Sequence, residues 1–359
     1  MRYKLLGRSG LRVSELCLGS MTFGEDWGWG AGKDEVKRIF DAYCDAGGNF
    51  IDTANAYTNG SSESILRDLI AAERDRLVVA TKYVSSTRRG DPNAAGGHRK
   101  NLVQALDASL RRLGTDRIDV FWVHIWDFLT STEEVMRSLD DQVRAGKVLY
   151  LGVSDAPAWV VAQANTMASL RDWTPFAAIQ VEYNLVERTV ERELVPMAQS
   201  LGLAVTAWSP LAAGVLTGKY HEPEKARGES RLDKVPFDRR TDRNMKIAQV
   251  VVDVARELGR SPAQVALNWL RARPTPIIPI VGARTVDQLR DNMACVEWQL
   301  DKPAIERLDA ASAIDLGFPS SMLAMASDFV YGGTFDQIDG ARERVPIAMP
   351  APGAAKRIH

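Results

Sequence analysis

Three apolar stretches of this 359-residue chain each end on a residue that a hydrocarbon core does not tolerate. Phe50-Ile51-Asp52 stops on a carboxylate, and Tyr57 follows five residues later. Leu77-Val78-Val79-Ala80-Thr81-Lys82 stops on a lysine, and Asp119-Val120-Phe121-Trp122-Val123-His124 on a histidine. If these strands are parallel neighbours, Asp52, Tyr57, Lys82 and His124 converge at one rim. That set suits proton donation to a carbonyl that accepts hydride, because negative charge arriving on oxygen calls for an acid and an oxyanion donor. A free tyrosine titrates near pH ~10, too high for a well-matched acid, and a lysine cation beside it favours the phenolate and lowers that value. Asp52 would hold Lys82 charged and oriented. His124 would hydrogen-bond the carbonyl oxygen, its tautomer open at this stage.

Each residue alone has a plainer reading. Asp52 could cap a turn, and Lys82 could snorkel from a strand end to water. His124 could be a satisfied core histidine between Trp122 and Trp126, and Tyr57 a surface loop aromatic. Their placement on three successive strands, with the tyrosine in the first loop, is the more specific signal.

The elements that must position them alternate regularly. Residues 3–13 read as two short strands around a Ser-Gly turn, and strands are then expected at 16–19, 49–52, 77–81, 118–124, 150–153, 178–181, 204–208 and 277–280. Between them lie helical stripes: Val36, Ile39, Phe40 and Tyr43 before Gly47-Gly48; Leu102, Leu106, Leu110 and Leu113 before Gly114; Ile247, Val250, Val251, Val254 and Leu258 before Gly259. Ser131-Thr132-Glu133-Glu134 and Thr285-Val286-Asp287-Gln288 read as capping boxes, Ser261-Pro262 as a helix start, and Asp155 as an N-cap before Pro157. Eight such repeats predict an α/β protein of the (β/α)8 TIM-barrel class, with an N-terminal β-hairpin and a C-terminal loop extension over 315–359, all in one domain. A doubly wound sheet is the alternative. It would announce its nucleotide site with G-x-G-x-x-G, and Gly28-Trp29-Gly30-Ala31-Gly32-Lys33 has a lysine at the third glycine position and lacks P-loop spacing. A charged insertion at 219–243 and the early part of the tail after Ile314 are expected to act as lids, and Pro350-Ala351-Pro352-Gly353 to be mobile.

Composition removes several function classes. With 45% hydrophobic residues, 25% charged residues and a net charge of −1, no basic footprint for nucleic acid stands out. The N-terminus carries no signal-peptide core, and no apolar run approaches a membrane span. Three separated cysteines and four scattered histidines offer no metal-ligand spacing, so no metal is expected. A reduced, cytoplasmic compartment is the default, and a homo-oligomer is left open.

Along nearly its whole length the chain resembles the aldo-keto reductases, in particular the bacterial-type and potassium-channel β-subunit-like branch. The matching stretches are Ile51-Asp52-Thr53-Ala54-Asn55-Ala56-Tyr57, Ala80-Thr81-Lys82, Val123-His124-Ile125-Trp126-Asp127 and Gly146 through Ser154. They continue through Gln180-Val181-Glu182-Tyr183-Asn184, Ala207-Trp208-Ser209-Pro210-Leu211 and 282–292. The resemblance implies a catalytic tetrad of Asp52, Tyr57, Lys82 and His124, with NADPH/NADP+ extended across the barrel mouth. It implies that Ser154 and Gln180 bind the nicotinamide carboxamide and that Trp208 stacks on the ring. Ser209, Leu211 and Gly214 would line the pyrophosphate, and Gly282, Arg284, Gln288, Asp291 and Asn292 would surround the adenosine and its 2′-phosphate. A glycine before a capped helix offers free N–H groups to a phosphate and Arg284 adds a fork of donors, which favours NADPH over NADH.

Where relatives often carry Ser-Asn, this chain has Ser154-Asp155, and a carboxylate cannot donate as an amide does. For a small-molecule carbonyl substrate, Phe23, Trp27, Trp29, Trp126 and Phe128 could wall a pocket for flat or cyclic ketones, or pack between loops and helices. A broad aldehyde and ketone range with one bulky ring ketone as target is the expectation. Three other classes compete: a cofactor-sensing subunit with little turnover, a Schiff-base aldolase built on Lys82, and a structural protein that binds no nucleotide.

Overall fold

The computed structural model describes residues 1–221, 239–325 and 330–340. Among these residues ten strands form two sheets: β1 (Tyr3–Leu5) and β2 (Arg12–Ser14) pair as an antiparallel hairpin. The remaining eight are β3 (Cys17–Gly19), β4 (Phe50–Asp52), β5 (Val78–Tyr83), β6 (Ile118–Val123), β7 (Val148–Ser154), β8 (Phe176–Glu182), β9 (Ala204–Trp208) and β10 (Ile277–Val281). They are all parallel, run in sequence order, and close where β10 pairs with β3. This is the (β/α)8 barrel with an N-terminal hairpin that the alternating pattern predicts.

Helices shield the outside: α1 (Lys33–Asp45), α2 (Ser61–Ile70), α3 (Arg99–Leu113), α4 (Thr132–Arg144), α5 (Ala158–Arg171), α6 (Leu194–Leu201), α7 (Asp242–Leu258), α8 (Pro262–Arg271) and α9 (Val286–Met293). Two more follow, α10 (Lys302–Ala311) and α11 (Ser320–Met325). The stripe of α1 is buried as expected, whereas Leu110 and Val250 are half-buried and Leu258 is exposed at its helix end. Ser131 and Thr285 do cap, accepting from Glu134 N and Gln288 N. Neither reciprocal half of the box forms, because Glu134 Oε1 accepts from Arg99 N and Gln288 Oε1 from Arg284 N. Asp155 caps nothing; Pro157 holds the N-cap position of α5 without a side-chain bond. The reason is that Asp155 turns toward the barrel mouth with φ +45°.

Strand parity divides the core into two layers. Leu18, Ile51, Val79, Phe121, Leu151, Ile179 and Val205 face outward under the helices. Cys17, Phe50, Val78, Ala80, Val120, Trp122, Ala178, Ala204, Ile278 and Ile280 fill the interior, and Leu6 and Val13 of the hairpin region pack beneath them at the strands' N-terminal end. Continuing the inward parity reaches Asp52, Lys82, His124, Ser154, Gln180 and, one step past Thr206, Trp208. The polar ends of the strands are therefore the top layer of the barrel interior.

Gly152 shows how tightly that interior is filled. A Cβ there would sit 2.2 Å from Trp122 Cε3, so the indole lies flat against bare backbone. Gly152→Ala should lower the denaturant midpoint, with a loss of about 1–3 kcal/mol from overpacking. An unchanged midpoint would mean that Trp122 has room to move.

Candidate active site

A cavity of about 770 Å³ opens at the C-terminal ends of the barrel strands. Its floor is an ion pair. Lys82 is fully buried and Asp52 nearly so, and the ammonium donates to Asp52 Oδ2, to Thr53 O at 2.9 Å and to Tyr57 Oη at 3.0 Å. Those three bonds use all three N–H groups of the lysine. Asp52 Oδ1 accepts from Gln180 Nε2 at 3.0 Å, so both carboxylate oxygens are also committed. Burial alone would lower the Lys82 pKa; the Asp52 charge, joined by Tyr57, outweighs it and the lysine is held charged above its ordinary value.

Tyr57 reaches this pair from an unusual backbone. The two residues after it, Thr58 and Asn59, both take left-handed conformations, at φ +45° and +55°. A β-branched residue there is strained, and Thr58 is held by bonds from its hydroxyl to Phe23 O and from Ser62 N to its Oγ1. Burial raises the Tyr57 pKa and the Lys82 charge opposes it, with a net rise. This corrects the expectation of a lowered value: desolvation of the phenolate exceeds the cation's pull. Because its oxygen already accepts from Lys82, the tyrosine's own hydrogen is free to point away from the lysine, and Tyr57 borders the cavity.

His124 stands edge-on to Tyr57, ring centroids 5.8 Å apart. Burial, aided by the charge of Lys82, pushes its pKa down to about 3, so the imidazole is neutral at pH 7. Its Nδ1 lies 3.1 Å from Ser85 Oγ, a partner that the sequence reading did not identify. Ser85 lies three residues beyond Lys82, in a loop with no periodic signal.

The cavity wall continues through Ser154, Gln180, Trp208, Ser209, Leu211 and Gly214 to Gly282, Arg284, Gln288, Asp291 and Asn292, the full expected cofactor set. Ser209, Ala212, Ala213 and Gly214 all have positive φ, folding β9's end into a tight turn. The Lys219 ammonium packs beside Gly214, where a Cβ would be 3.0 Å from its Nζ. Lys219, like Ser261, lines the cavity unanticipated, since it reads as the start of a charged insertion. Among the described residues the Arg284 guanidinium has no hydrogen-bond or ion-pair partner. The N-terminus of α9 is less open than expected. Val286 N donates to Glu35 Oε1 at 2.6 Å and Arg284 N to Gln288 Oε1 at 3.0 Å, so those two N–H groups are taken. Asp291 is likewise occupied, accepting from Ser261 Oγ and Gln264 Nε2.

Trp27 and Trp29 line the cavity, 5.7 Å apart, with Trp27 edge-on to Tyr57 at 6.4 Å. Trp126 does not: it is buried in the outer apolar layer, because the chain leaves the barrel interior after His124. Phe23 is fully buried in that same layer, and Phe128 points to solvent. Gly28-Trp29-Gly30-Ala31 is a segment of the β3–α1 loop, tied back by a Phe23–Ala31 bridge. Of the expected lids, no described residue after 314 lines the cavity. Residues 222–238 of the insertion and 341–359 of the tail, including Pro350–Gly353, lie outside the described residues. Among the described residues no cluster of three or more His, Cys, Asp or Glu side chains could hold a metal ion, and no helix is long and apolar enough to cross a membrane.

The neutral His124 makes stability depend on pH. The unfolded imidazole takes a proton below about 6.5 while the folded one resists until about 3. Stability present above 6.5 is therefore lost as pH falls from there toward 3. Between pH 7.5 and 5 the parent should lose roughly 1–2 kcal/mol more than His124→Gln in denaturant melts, other groups cancelling in the comparison. Equal losses would show that His124 protonates freely in the folded chain.

Comparison with known proteins places this arrangement. The sequence profile of the Aldo/keto reductase family matches residues 15–313. The chain is 39% identical to a norsolorinic acid reductase of Emericella nidulans, over 88% of this chain and 82% of that protein. It is 36% identical to an aryl-alcohol dehydrogenase [NADP(+)] of Phanerodontia chrysosporium, over 89% of this chain and 88% of that one. An aldo-keto reductase of Aspergillus calidoustus is also 36% identical, over 90% of this chain and 85% of its own length. The chain belongs to the aldo/keto reductase family.

Proposed function

We propose that this chain is an NADPH-dependent oxidoreductase that reduces aromatic aldehydes or ketones to alcohols, with Tyr57 as the acid. One observation carries the reading: Lys82 spends every N–H on Asp52, Thr53 and Tyr57, leaving the phenolic hydrogen to face the cavity. Lys82 then answers the charge left on Tyr57 when that proton goes to a carbonyl oxygen. His124, neutral and held at Nδ1 by Ser85, orients the carbonyl; with the serine hydroxyl donating, its Nε2–H points to the substrate.

The cavity fits a nicotinamide dinucleotide phosphate by its donor set. Arg284 offers a guanidinium uncommitted among the described residues for a phosphate, and Lys219 a cation beside the Gly214 turn. Trp208 offers an indole plate, and Gln180 keeps Oε1 for an amide N–H after giving Nε2 to Asp52. When bound, that group supplies the hydride. Strand-end groups bind and orient it, and Asp52 keeps the lysine in place. One fungal relative is an aryl-alcohol dehydrogenase [NADP(+)], and the paired walls of Trp27 and Trp29 suit a flat ring. A Schiff base on Lys82 is disfavoured, since a lysine held charged and fully engaged is a poor nucleophile.

Tyr57→Phe should cut oxidation of NADPH by a reactive aromatic aldehyde by roughly 10²–10⁴-fold, followed by absorbance. Its NADPH affinity, followed by tryptophan fluorescence, should stay near the parent's. Loss of binding instead would remove Tyr57 from the acid role. Tight NADPH binding with no turnover by the parent would favour a cofactor-sensing subunit.

A further inference from the structure

One charge in the strand-end region of the cavity has no counter-charge paired with it. Asp155 follows the end of β7, turns inward with φ +45°, and its Oδ1 accepts from Trp208 Nε1 at 3.1 Å. Its carboxylate borders the same cavity as Ser154, Gln180 and Trp208. Around it the other charges cancel. Lys82 is paired with Asp52, Glu182 with Arg239 at 2.5 Å, and His124 and Tyr57 are neutral. Asp155 has no ion-pair partner among the described residues. Burial raises its carboxyl above the ordinary range, while bonds from Trp208 and Ser154 and the more distant Lys82 charge act to keep it ionised. The strand-end region of the cavity therefore holds one uncompensated negative charge, next to the indole on which a flat ring would stack.

A nicotinamide ring is neutral when reduced and carries one positive charge when oxidised. We propose that Asp155 stabilises the oxidised, cationic ring, binding NADP+ more tightly relative to NADPH than a neutral residue would and making the bound reduced cofactor the stronger hydride donor. The inference rests on the reading of this cavity as a nicotinamide site. The carbonyl carbon gains the hydride and its oxygen takes the proton of Tyr57, so positive charge grows on the ring as the reduction proceeds. A fixed carboxylate beside that ring favours the forward step by the same interaction that holds the oxidised product. An asparagine here would bind the carboxamide without distinguishing the two redox states. The substitution of a carboxylate for an amide thus acts on direction as well as on affinity.

The test compares dissociation constants of NADP+ and NADPH, measured by tryptophan fluorescence titration, for the parent, Asp155→Asn and Asp155→Ser. The phosphates are common to both nucleotides, so the ratio of the two constants isolates the ring and cancels any general loss of affinity. Removing the charge should weaken NADP+ relative to NADPH by roughly five- to tenfold in both variants, less at high salt. A tenfold change corresponds to a rise of about 30 mV in the bound pair's potential. An unchanged ratio, with both nucleotides still binding, would overturn the role of Asp155 and leave the reductase reading standing. A parent that binds neither nucleotide would overturn both.

Discussion

The buried pair of Lys82 and Asp52 is the interaction on which the site depends. A lysine ammonium inside a barrel is tolerable only when each of its hydrogens is answered and a counter-charge lies beside it. Asp52, Thr53 O and Tyr57 Oη meet both conditions, and Gln180 completes the shell of the carboxylate. Lys82 fixes the tyrosine oxygen and opposes the burial that disfavours its phenolate, against the contrary effect of the Asp52 charge. It also adds to the burial that keeps His124 uncharged. Burial sets the protonation states of both neighbours that face the cavity, and the Lys82 charge bears on each.

The barrel makes this arrangement possible through parity. Inward residues of the lower layers are apolar and packed to the limit, as the contact of Gly152 with Trp122 shows. The same alternation carries Asp52, Lys82, His124, Ser154, Gln180 and Trp208 to the top of that column, where loops replace packing partners with solvent and ligand. The hairpin that packs against the column from below leaves the strand C-termini as the mouth. Strain at Thr58, Asn59 and the turn after Trp208 is concentrated at that mouth, where the chain must aim side chains inward without adding strands.

Much of this was legible in the residues. All eight barrel strands overlap the apolar runs of the sequence, most of which end on a polar group, because burial on both faces writes an unambiguous pattern. Asp52, Tyr57, Lys82 and His124 come together for the same reason. Features set by loop conformation were not legible. Trp126 sits two positions past His124 and looks like a wall residue, yet the chain leaves the barrel interior before reaching it. Asp155 looks like a helix cap until its positive φ turns it to Trp208, and Glu35 reaches α9 from α1, 251 positions earlier in the sequence. Ser85 and Lys219 lie in segments without periodicity. The direction of the Tyr57 shift depends on the balance of burial against charge, which requires coordinates.

The central claim is that Asp52 and Lys82 act as one unit, and a double-mutant cycle on folding stability measures it directly. Lys82→Met and Asp52→Leu, each alone, strand a buried charge and should each cost about 3–5 kcal/mol. The double variant strands neither and should lose well under the sum, with a coupling of about 2 kcal/mol or more. Losses that add within about 0.5 kcal/mol would contradict the account, because each side chain would then be satisfied without the other.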